Sequence, residues 1–249
     1  MGGAVLVTGA AKRIGRMIAL RLAEAGYDVA LHHRNSVEAA DGVKAEIEAL
    51  GRRAVAVRAD LTREDEVQTL IPRAVEALGP LTVLVNNASV FEDDRVGALT
   101  RDSWDRHMET NLRAPIVLAE AFAAQAPVGS AIVNLLDQRV LKPDPRFFSY
   151  SLSRAGLWWA TRTLAQALAP HVRVNAVGPG PTLPSIHQTR EQFEAEAEAT
   201  PLKRPGDPDA VADAVLWLVQ APLTTGQMIT VDGGQHLAWR TPDILESDA

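Results

Sequence analysis

Apolar positions along the chain follow two alternating rhythms. Ala4 to Val7 is an unbroken apolar run, the pattern of a strand buried on both faces, and it ends in the turn-forming Thr8-Gly9. From Ile14 the spacing becomes helical, with Ile14, Ile18 and Leu22 four apart and Gly26 placed as a C-terminal stop. The alternation continues. Strands are predicted over Asp28–His33, Ala54–Arg58, Leu81–Val85, Ala131–Leu136, His171–Val177 and Met228–Val231. Helices are predicted over Val37–Leu50, closed by Gly51, and over Arg101–Gln125, interrupted near Pro115. Further helices are predicted over Phe148–Leu168, Arg190–Ala199 and Asp209–Val219, and Thr62 with Asp65 reads as a capping box opening one more before the fourth strand. Strands and helices alternating at this spacing imply right-handed βαβ units in one doubly wound parallel sheet with helices on both faces. No internal stretch has linker composition, so residues 1–249 read as a single α/β domain, with a lid around 181–205 and a loosely patterned tail over 235–249.

Composition narrows the function. The 249 residues carry 25 Lys and Arg against 31 Asp and Glu, a formal charge of −6 without a basic block, which disfavours a nucleic-acid partner. There is no cysteine, so disulfides, thiolate metal sites and cysteine nucleophiles are excluded together, and redox chemistry requires a bound cofactor. His107, His171 and His187 lack metal-ligand spacing, and no metal site is expected. The start has no basic segment followed by a long apolar one, and no stretch approaches a membrane span, so the expectation is a cytoplasmic protein without a membrane partner. Trp158, Trp159 and Trp217 sit among apolar neighbours on predicted helices and read as core or subunit-interface residues.

In a doubly wound sheet, ligands bind beyond the carboxyl ends of the strands, where loops and helix N-termini present backbone N–H groups. Thr8-Gly9-Ala10-Ala11-Lys12-Arg13-Ile14-Gly15 lies there and suits a phosphate group, the alternative being a tight strand-to-helix connection. These residues begin a series. Thr8-Gly9-x-x-x-Arg13-Ile14-Gly15 resembles the TGxxxGxG turn of the short-chain dehydrogenase/reductase family, Asp60-Leu61 its adenine-side pair, and Asn86-Asn87-Ala88-Ser89 its NNAG segment. Asn111 matches the helix asparagine, Tyr150-x-x-x-Arg154 the YxxxK pair, Pro179-Gly180 the PG after the sixth strand, and Val231-Asp232-Gly233-Gly234 the VDGG motif. The chain resembles this Rossmann-type family over essentially its full length. Three departures, Arg13 for glycine, Ser89 for the last glycine of NNAG, and Asp137 for the serine that partners the tyrosine, resemble the pteridine and dihydromonapterin reductases within it. His32-His33-Arg34-Asn35-Ser36 and Phe91 carry the same likeness, whereas Arg154 stands where both patterns have lysine.

The resemblance implies an NADPH-dependent reductase of a dihydropterin-like small molecule, built as a homotetramer or homodimer. Gly9, Lys12, Arg13, Ile14, Gly15, His33, Arg34, Asn35, Asp60, Leu61, Asn87, Ala88, Pro179 and Gly180 are its expected cofactor-binding residues, together with Tyr150 and Arg154. Arg34, Lys12 and Arg13 form a cationic cluster at the end of the second strand, which favours a ribose 2′-phosphate; solvated surface cations are the alternative. Asp60 is expected to accept from the adenine amino group, or else to serve as a loop acid. Ser89 and Phe91 are expected against the substrate, Phe91 stacking on the heterocycle unless it is an ordinary core aromatic. Tyr150 is the expected proton donor, with Arg154 one turn along to favour its phenolate, Asp137 an auxiliary acid and Asn111 the anchor of a water relay. Asp137 has the alternative of pairing with Arg139 or Lys142, and Asn111 that of a satisfied helix amide. Two other functions stay open: a general NADPH carbonyl reductase, and a nucleotide-binding protein without turnover because of Arg154.

Overall fold

Seven parallel strands form the centre of the molecule in the order β3-β2-β1-β4-β5-β6-β7. The computed structural model describes residues 2–184 and 188–239; residues 185–187 of the expected lid and 240–249 of the expected tail lie outside the described residues. The strands are β1 Ala4–Val7, β2 Asp28–His33, β3 Ala54–Arg58, β4 Leu81–Asn86, β5 Ser130–Leu135, β6 Val172–Pro179 and β7 Met228–Val231. Helices α1 Arg13–Glu24, α2 Val37–Ala49 and α8 Pro208–Gln220 cover one face, where Ile18, Leu22, Ile47 and Val215 pack on Val5, Val7, Val29 and Leu31. The opposite face is covered by α3 Glu64–Leu78, α5 Ala114–Ala123 and α6 Phe148–Leu168, with Leu70, Leu118, Phe122 and Ala165 packed on Leu6, Leu84, Ile132 and Val174. Coverage on both faces explains the nearly continuous apolar runs of the inner strands.

The chain moves outward from β1 to β3 and then returns to β4 on the other side of β1, so a crevice opens at the carboxyl ends of these two strands. The crest there is tied crosswise. The Thr8 hydroxyl accepts from the Asn87 and Ala88 N–H groups at 2.9 and 3.0 Å, and the Asn87 amide donates to the Thr8 carbonyl at 2.8 Å.

One local reading is corrected and two are made specific. The Thr62–Asp65 capping box does not form: α3 begins at Glu64, its N-cap Arg63 makes no side-chain cap, and Thr62 turns its hydroxyl to Asp60 at 2.8 Å. The capping box that does form is Thr189 with Gln192, opening α7 Arg190–Glu198. The helix predicted over Arg101–Gln125 is divided into α4 Arg101–Met108 and α5 by a π-helical turn at Glu109–Arg113. Pro115 has no N–H to return to the carbonyl four residues earlier, that of Asn111, and this frees the preceding turn to widen. Trp159 and Trp217 are more than half exposed rather than core. Among the described residues no helix is long and apolar enough to cross a membrane.

Candidate active site

Two joined clefts lie above the strand ends. The first, about 480 Å³, runs over β1 and β2 and is lined by Gly9, Lys12 to Gly15, His32, Arg34 to Ser36, Asp60, Leu61 and Asn87 to Val90. The second, about 900 Å³, lies beyond β5 and β6 and includes Phe91, Asp137, Arg139, Phe147, Tyr150, Arg154, Gly180 and Glu196. Arg13, Ile14, Asn87 and Ser89 line both.

The first cleft suits a dinucleotide. Lys12 is the N-cap of α1 and supplies no side-chain acceptor, so the first-turn N–H groups of the helix are left for a ligand. Lys12 and Arg34 are exposed, and their side chains make no hydrogen bond or ion pair among the described residues, which leaves both charges for a phosphate. Gly9 and Gly15 keep the turn low: a Cβ on Gly15 would come within 2.2 Å of the Gly9 carbonyl oxygen, and Gly9 itself has φ +64°. Asp60 accepts the Thr62 N–H at 3.0 Å as well as its hydroxyl. Burial opposes ionisation of Asp60, but these donors and the Arg34 and Arg63 cations outweigh it and hold the carboxyl below its usual range.

Two members of the expected cofactor set are placed differently. The Arg13 guanidinium leaves Lys12 and Arg34 and donates to the Leu183 and Pro184 carbonyls at 3.3 and 3.0 Å, tying the turn after β1 to the loop after β6. Arg13 adopts φ +54°, a conformation that a glycine would hold without strain. His33 shares its strand face with Val29 and Leu31, toward α1 and α2, and so lies away from the cleft. His32, one residue earlier, takes the place: its Nδ1 accepts the Gly9 N–H at 3.1 Å and its Nε2 lies 3.1 Å from the Ala59 carbonyl, which fixes the Nε2–H tautomer. Burial pushes the His32 pKa down to about 4, so the ring is neutral and its acceptor lone pair persists. Strand parity would have chosen His32 over His33 in the sequence.

At the second cleft, the Tyr150 hydroxyl donates to Asp137 Oδ2 at 2.9 Å. The same oxygen accepts from Arg139 Nη1 at 3.1 Å, and Oδ1 accepts the Arg139 N–H at 2.8 Å. Asp137 therefore contacts both Tyr150 and Arg139. Arg154 is 2% exposed, donates Nη1 to the Leu135 carbonyl at 3.0 Å, and places its guanidinium carbon 5.3 Å from the Tyr150 ring centroid. Arg154 favours the phenolate, as expected, but not by enough to make it the dominant form. Burial and the neighbouring Asp137 charge push the phenol pKa well up, and the Arg154 and Arg139 cations offset only part of this. Tyr150 is held protonated, the form that a proton donor needs.

Phe91 stacks on Phe147 with centroids 4.2 Å apart and meets Tyr150 edge-on at 4.8 Å, forming an aromatic wall. Ser89 is exposed, with its hydroxyl turned to the Val90 carbonyl at 3.2 Å. Among the described residues the Asn111 side chain makes no hydrogen bond to Tyr150 or Arg154. Its amide accepts from the Val90 N–H at 2.8 Å, donates to the Val90 carbonyl at 2.9 Å and lies 3.2 Å from the Ser153 hydroxyl, so its side chain clamps the Ser89–Val90 segment to α6. Pro179 and Gly180 line the floor of the second cleft. The Gly180 N–H donates to the Val231 carbonyl, and a Cβ on Gly180 would meet the Asp232 Cα at 2.7 Å, so the close approach of the PG segment to Asp232 needs glycine at 180.

One part of the site carried no sequence signal. Helix α6 starts at Phe148 after Phe147, which has φ +53° and no capping side chain. Asp94, from the segment after β4, caps it from a distance: its carbonyl accepts the Phe148 N–H at 3.0 Å and its Oδ1 the Ser149 N–H at 2.9 Å. The Ser149 hydroxyl also donates to Asp94 Oδ2, and His107, fully buried, lies 2.7 Å from it through Nδ1 while its Nε2 accepts the Glu92 N–H at 3.2 Å. This network fixes the residue before Tyr150.

Comparison with known proteins agrees with this geometry. The family model described as Enoyl-(Acyl carrier protein) reductase matches residues 9–236. The chain is 34% identical over 244 residues to the 3-oxoacyl-[acyl-carrier-protein] reductase FabG of Staphylococcus epidermidis, covering 95% of this chain and 100% of that one. It is 39% identical over 242 residues to a granaticin polyketide synthase putative ketoacyl reductase of Streptomyces violaceoruber, covering 93% and 95%. The solved structure of FolM alternative dihydrofolate reductase 1 from Brucella suis in complex with NADP is 47% identical, with a TM-score of 0.93 over 97% of this chain and 98% of that one.

Proposed function

The chain belongs to the short-chain dehydrogenase/reductase family, and from that premise we propose that it reduces a dihydropterin-like heterocycle. It is an NADP-dependent oxidoreductase. The observation that carries the substrate reading is the Tyr150 hydroxyl bonded to an aspartate, Asp137, beside the flat wall of Phe91 and Phe147. The wall offers a planar ring apolar contact, and the carboxylate offers an acceptor for ring or amino N–H groups that a simple ketone lacks. The 47% identity to the alternative dihydrofolate reductase supports the same substrate class.

NADPH, when bound, supplies the hydride. In this reading Gly9, Ile14, Gly15, Asn35, Leu61, Asn87 and Ala88 shape its bed, Lys12 and Arg34 hold the 2′-phosphate, and Pro179 and Gly180 border the nicotinamide end. Tyr150 releases its hydroxyl from Asp137 and donates the proton to the substrate nitrogen, and Arg154 stabilises the phenolate left behind. Asp137 receives the substrate's N–H groups and returns a proton from solvent to Tyr150. Arg154 provides the charge of the family lysine, but its anchor on the Leu135 carbonyl limits its reach, so turnover is slowed rather than lost. The segment around 181–205, carrying α7, serves as the lid, and the active form is a homodimer or homotetramer.

Ketoacyl reduction is the second reading, favoured by full-length identity to the ketoacyl reductases. NADPH oxidation measured against dihydrobiopterin, dihydromonapterin, dihydrofolate and an acetoacetyl thioester separates the two. We expect kcat/KM at least tenfold higher for the best dihydropterin. A preference for the thioester overturns the assignment in favour of ketoacyl reduction, and micromolar NADPH binding with no turnover overturns it in favour of a nucleotide-binding protein.

A further inference from the structure

Arg139 has no part in the chemistry just described, yet it occupies a demanding place. It lies in a short 3₁₀ turn, Gln138–Val140, two residues after Asp137. Its side chain is 14% exposed, and its guanidinium carbon sits 5.8 and 5.6 Å from the ring centroids of Phe91 and Phe147. Nε is buried without a hydrogen-bond partner among the described residues, 4.0 Å from Asp144 Oδ2. A buried guanidinium with an unsatisfied donor is a poor device for stability, because desolvation offsets the gain from pairing. What the placement does accomplish is local. The Arg139 guanidinium donates Nη1 to Asp137 Oδ2, the oxygen that accepts the Tyr150 hydroxyl, while the backbone N–H of the same residue holds Oδ1.

We propose that Arg139 is a positioning residue for proton transfer, holding Asp137 as a carboxylate aimed at the Tyr150 hydroxyl. The inference rests on the reductase reading for its kinetic consequence, though not for its electrostatic one. The charged groups around the pair come from five elements, one of them the turn after β1, whose Arg13 lines the cleft but is turned to the Leu183 and Pro184 carbonyls. Tyr150 and Arg154 face it from α6, Asp144 and Arg146 from the loop before α6, Glu196 from α7, and Asp93 with Arg95 line the same cleft from the segment after β4. Asp144 is largely engaged by Arg146, at 2.6 Å, and Glu196 accepts from Gln188 and Gln235 at 2.6 and 3.0 Å. Arg139 is therefore the cation in hydrogen-bond contact with Asp137. Removing an opposite charge favours the neutral acid, which carries a hydroxyl in place of one acceptor oxygen and so competes with the arrangement that accepts from Tyr150.

The test compares the parent with Arg139→Met, Arg139→Gln and Arg139→Lys. One readout is the pH profile of kcat/KM with a dihydropterin at saturating NADPH. The other is the ¹³C carboxyl signal of Asp137 in aspartate-labelled protein, assigned by its loss in Asp137→Asn. In Arg139→Met we expect kcat to fall at least tenfold and the acidic limb to rise by about one pH unit, with the carboxyl signal titrating higher by the same amount. Arg139→Gln, which removes less volume, should give the same shift and decides the matter if Arg139→Met does not fold. Arg139→Lys should return the limb toward the parent's value while recovering only part of kcat, because an ammonium on a shorter, flexible stem does not place its donor where Nη1 stands. An unmoved Asp137 titration in the folded Met or Gln variant overturns the proposal, as does a rate loss equal at every pH. If the parent reduces no substrate, the reductase reading fails by itself and the carboxyl titration still decides the role of Arg139.

Discussion

The two clefts share Arg13, Ile14, Asn87 and Ser89, but they are built by opposite means. On the side proposed for the adenosine the charged groups, Lys12 and Arg34, are exposed and make no side-chain hydrogen bond or ion pair among the described residues, above a floor of buried Thr8 and His32 and half-buried Asn87. On the proton-transfer side the charges are committed before any ligand arrives: Asp137 to Tyr150 and Arg139, Arg154 to Leu135. Exposed cations attract a phosphate at little cost to folding, but salt screens them. Buried groups hold geometry to a fraction of an ångström, and losing one partner leaves another unsatisfied. Affinity for the cofactor and rate of chemistry should accordingly respond to different substitutions.

The largest expected effect tests the chemical half of this contrast. Tyr150→Phe removes the donated proton and should lower kcat about 10²- to 10⁴-fold while the NADPH dissociation constant, read by fluorescence, stays within a few-fold of the parent. A matching loss of NADPH affinity would show that the two clefts are not separable.

Next in size is a pH effect on the floor of the adenosine side. His32 is neutral in the fold with a pKa of about 4, against about 6.5 in the unfolded chain, so the unfolded state binds more protons between these values. Stability from this group is complete above pH 6.5 and is lost as pH falls toward 4, by on the order of 3 kcal/mol. Urea unfolding at pH 7 and pH 4.5 should show the drop in the parent and a smaller one in His32→Asn.

Arg34→Ala should weaken NADPH binding by about 1.5–3 kcal/mol, roughly ten- to a hundredfold, and narrow the preference over NADH, with kcat at saturation little changed. The preference should also shrink as salt is raised, whereas a preference that ignores salt would place the 2′-phosphate away from these cations. The smallest effect is expected at the wall. Phe91→Ala should raise the KM of the heterocycle several-fold, in line with about 0.5–1.5 kcal/mol for an aromatic contact, and leave NADPH affinity unchanged.

The difference between the clefts also separates what sequence reading reached from what it missed. The adenosine side follows one turn and its flanking strand, so Gly9, Lys12, Gly15 and Arg34 were legible from local order. Even there His33 was taken for His32, because the face of a strand is set by a two-residue period that the motif alone does not state. The proton-transfer side gathers Asp94, His107, Asp137, Arg139, Phe147 and Tyr150 from separate elements. Tyr150, Asp137 and Phe91 carried a family signature, but Asp94 and His107 had no local pattern to mark them. Asn111 was marked by its motif, but its bond to Val90, 21 residues away, was not legible there.

By itself the sequence determined the alternation of buried strands and amphipathic helices, the parallel sheet that follows from it, and which residue types stand at the strand ends. Those are consequences of apolar periodicity and backbone conformation, which act over a few residues. Tertiary structure alone decided the protonation of Tyr150, the turning of Arg13 to the Leu183 loop and the capping of α6 by Asp94. Each depends on desolvation or on a hydrogen-bond partner far along the chain, and both exist only once the elements have packed.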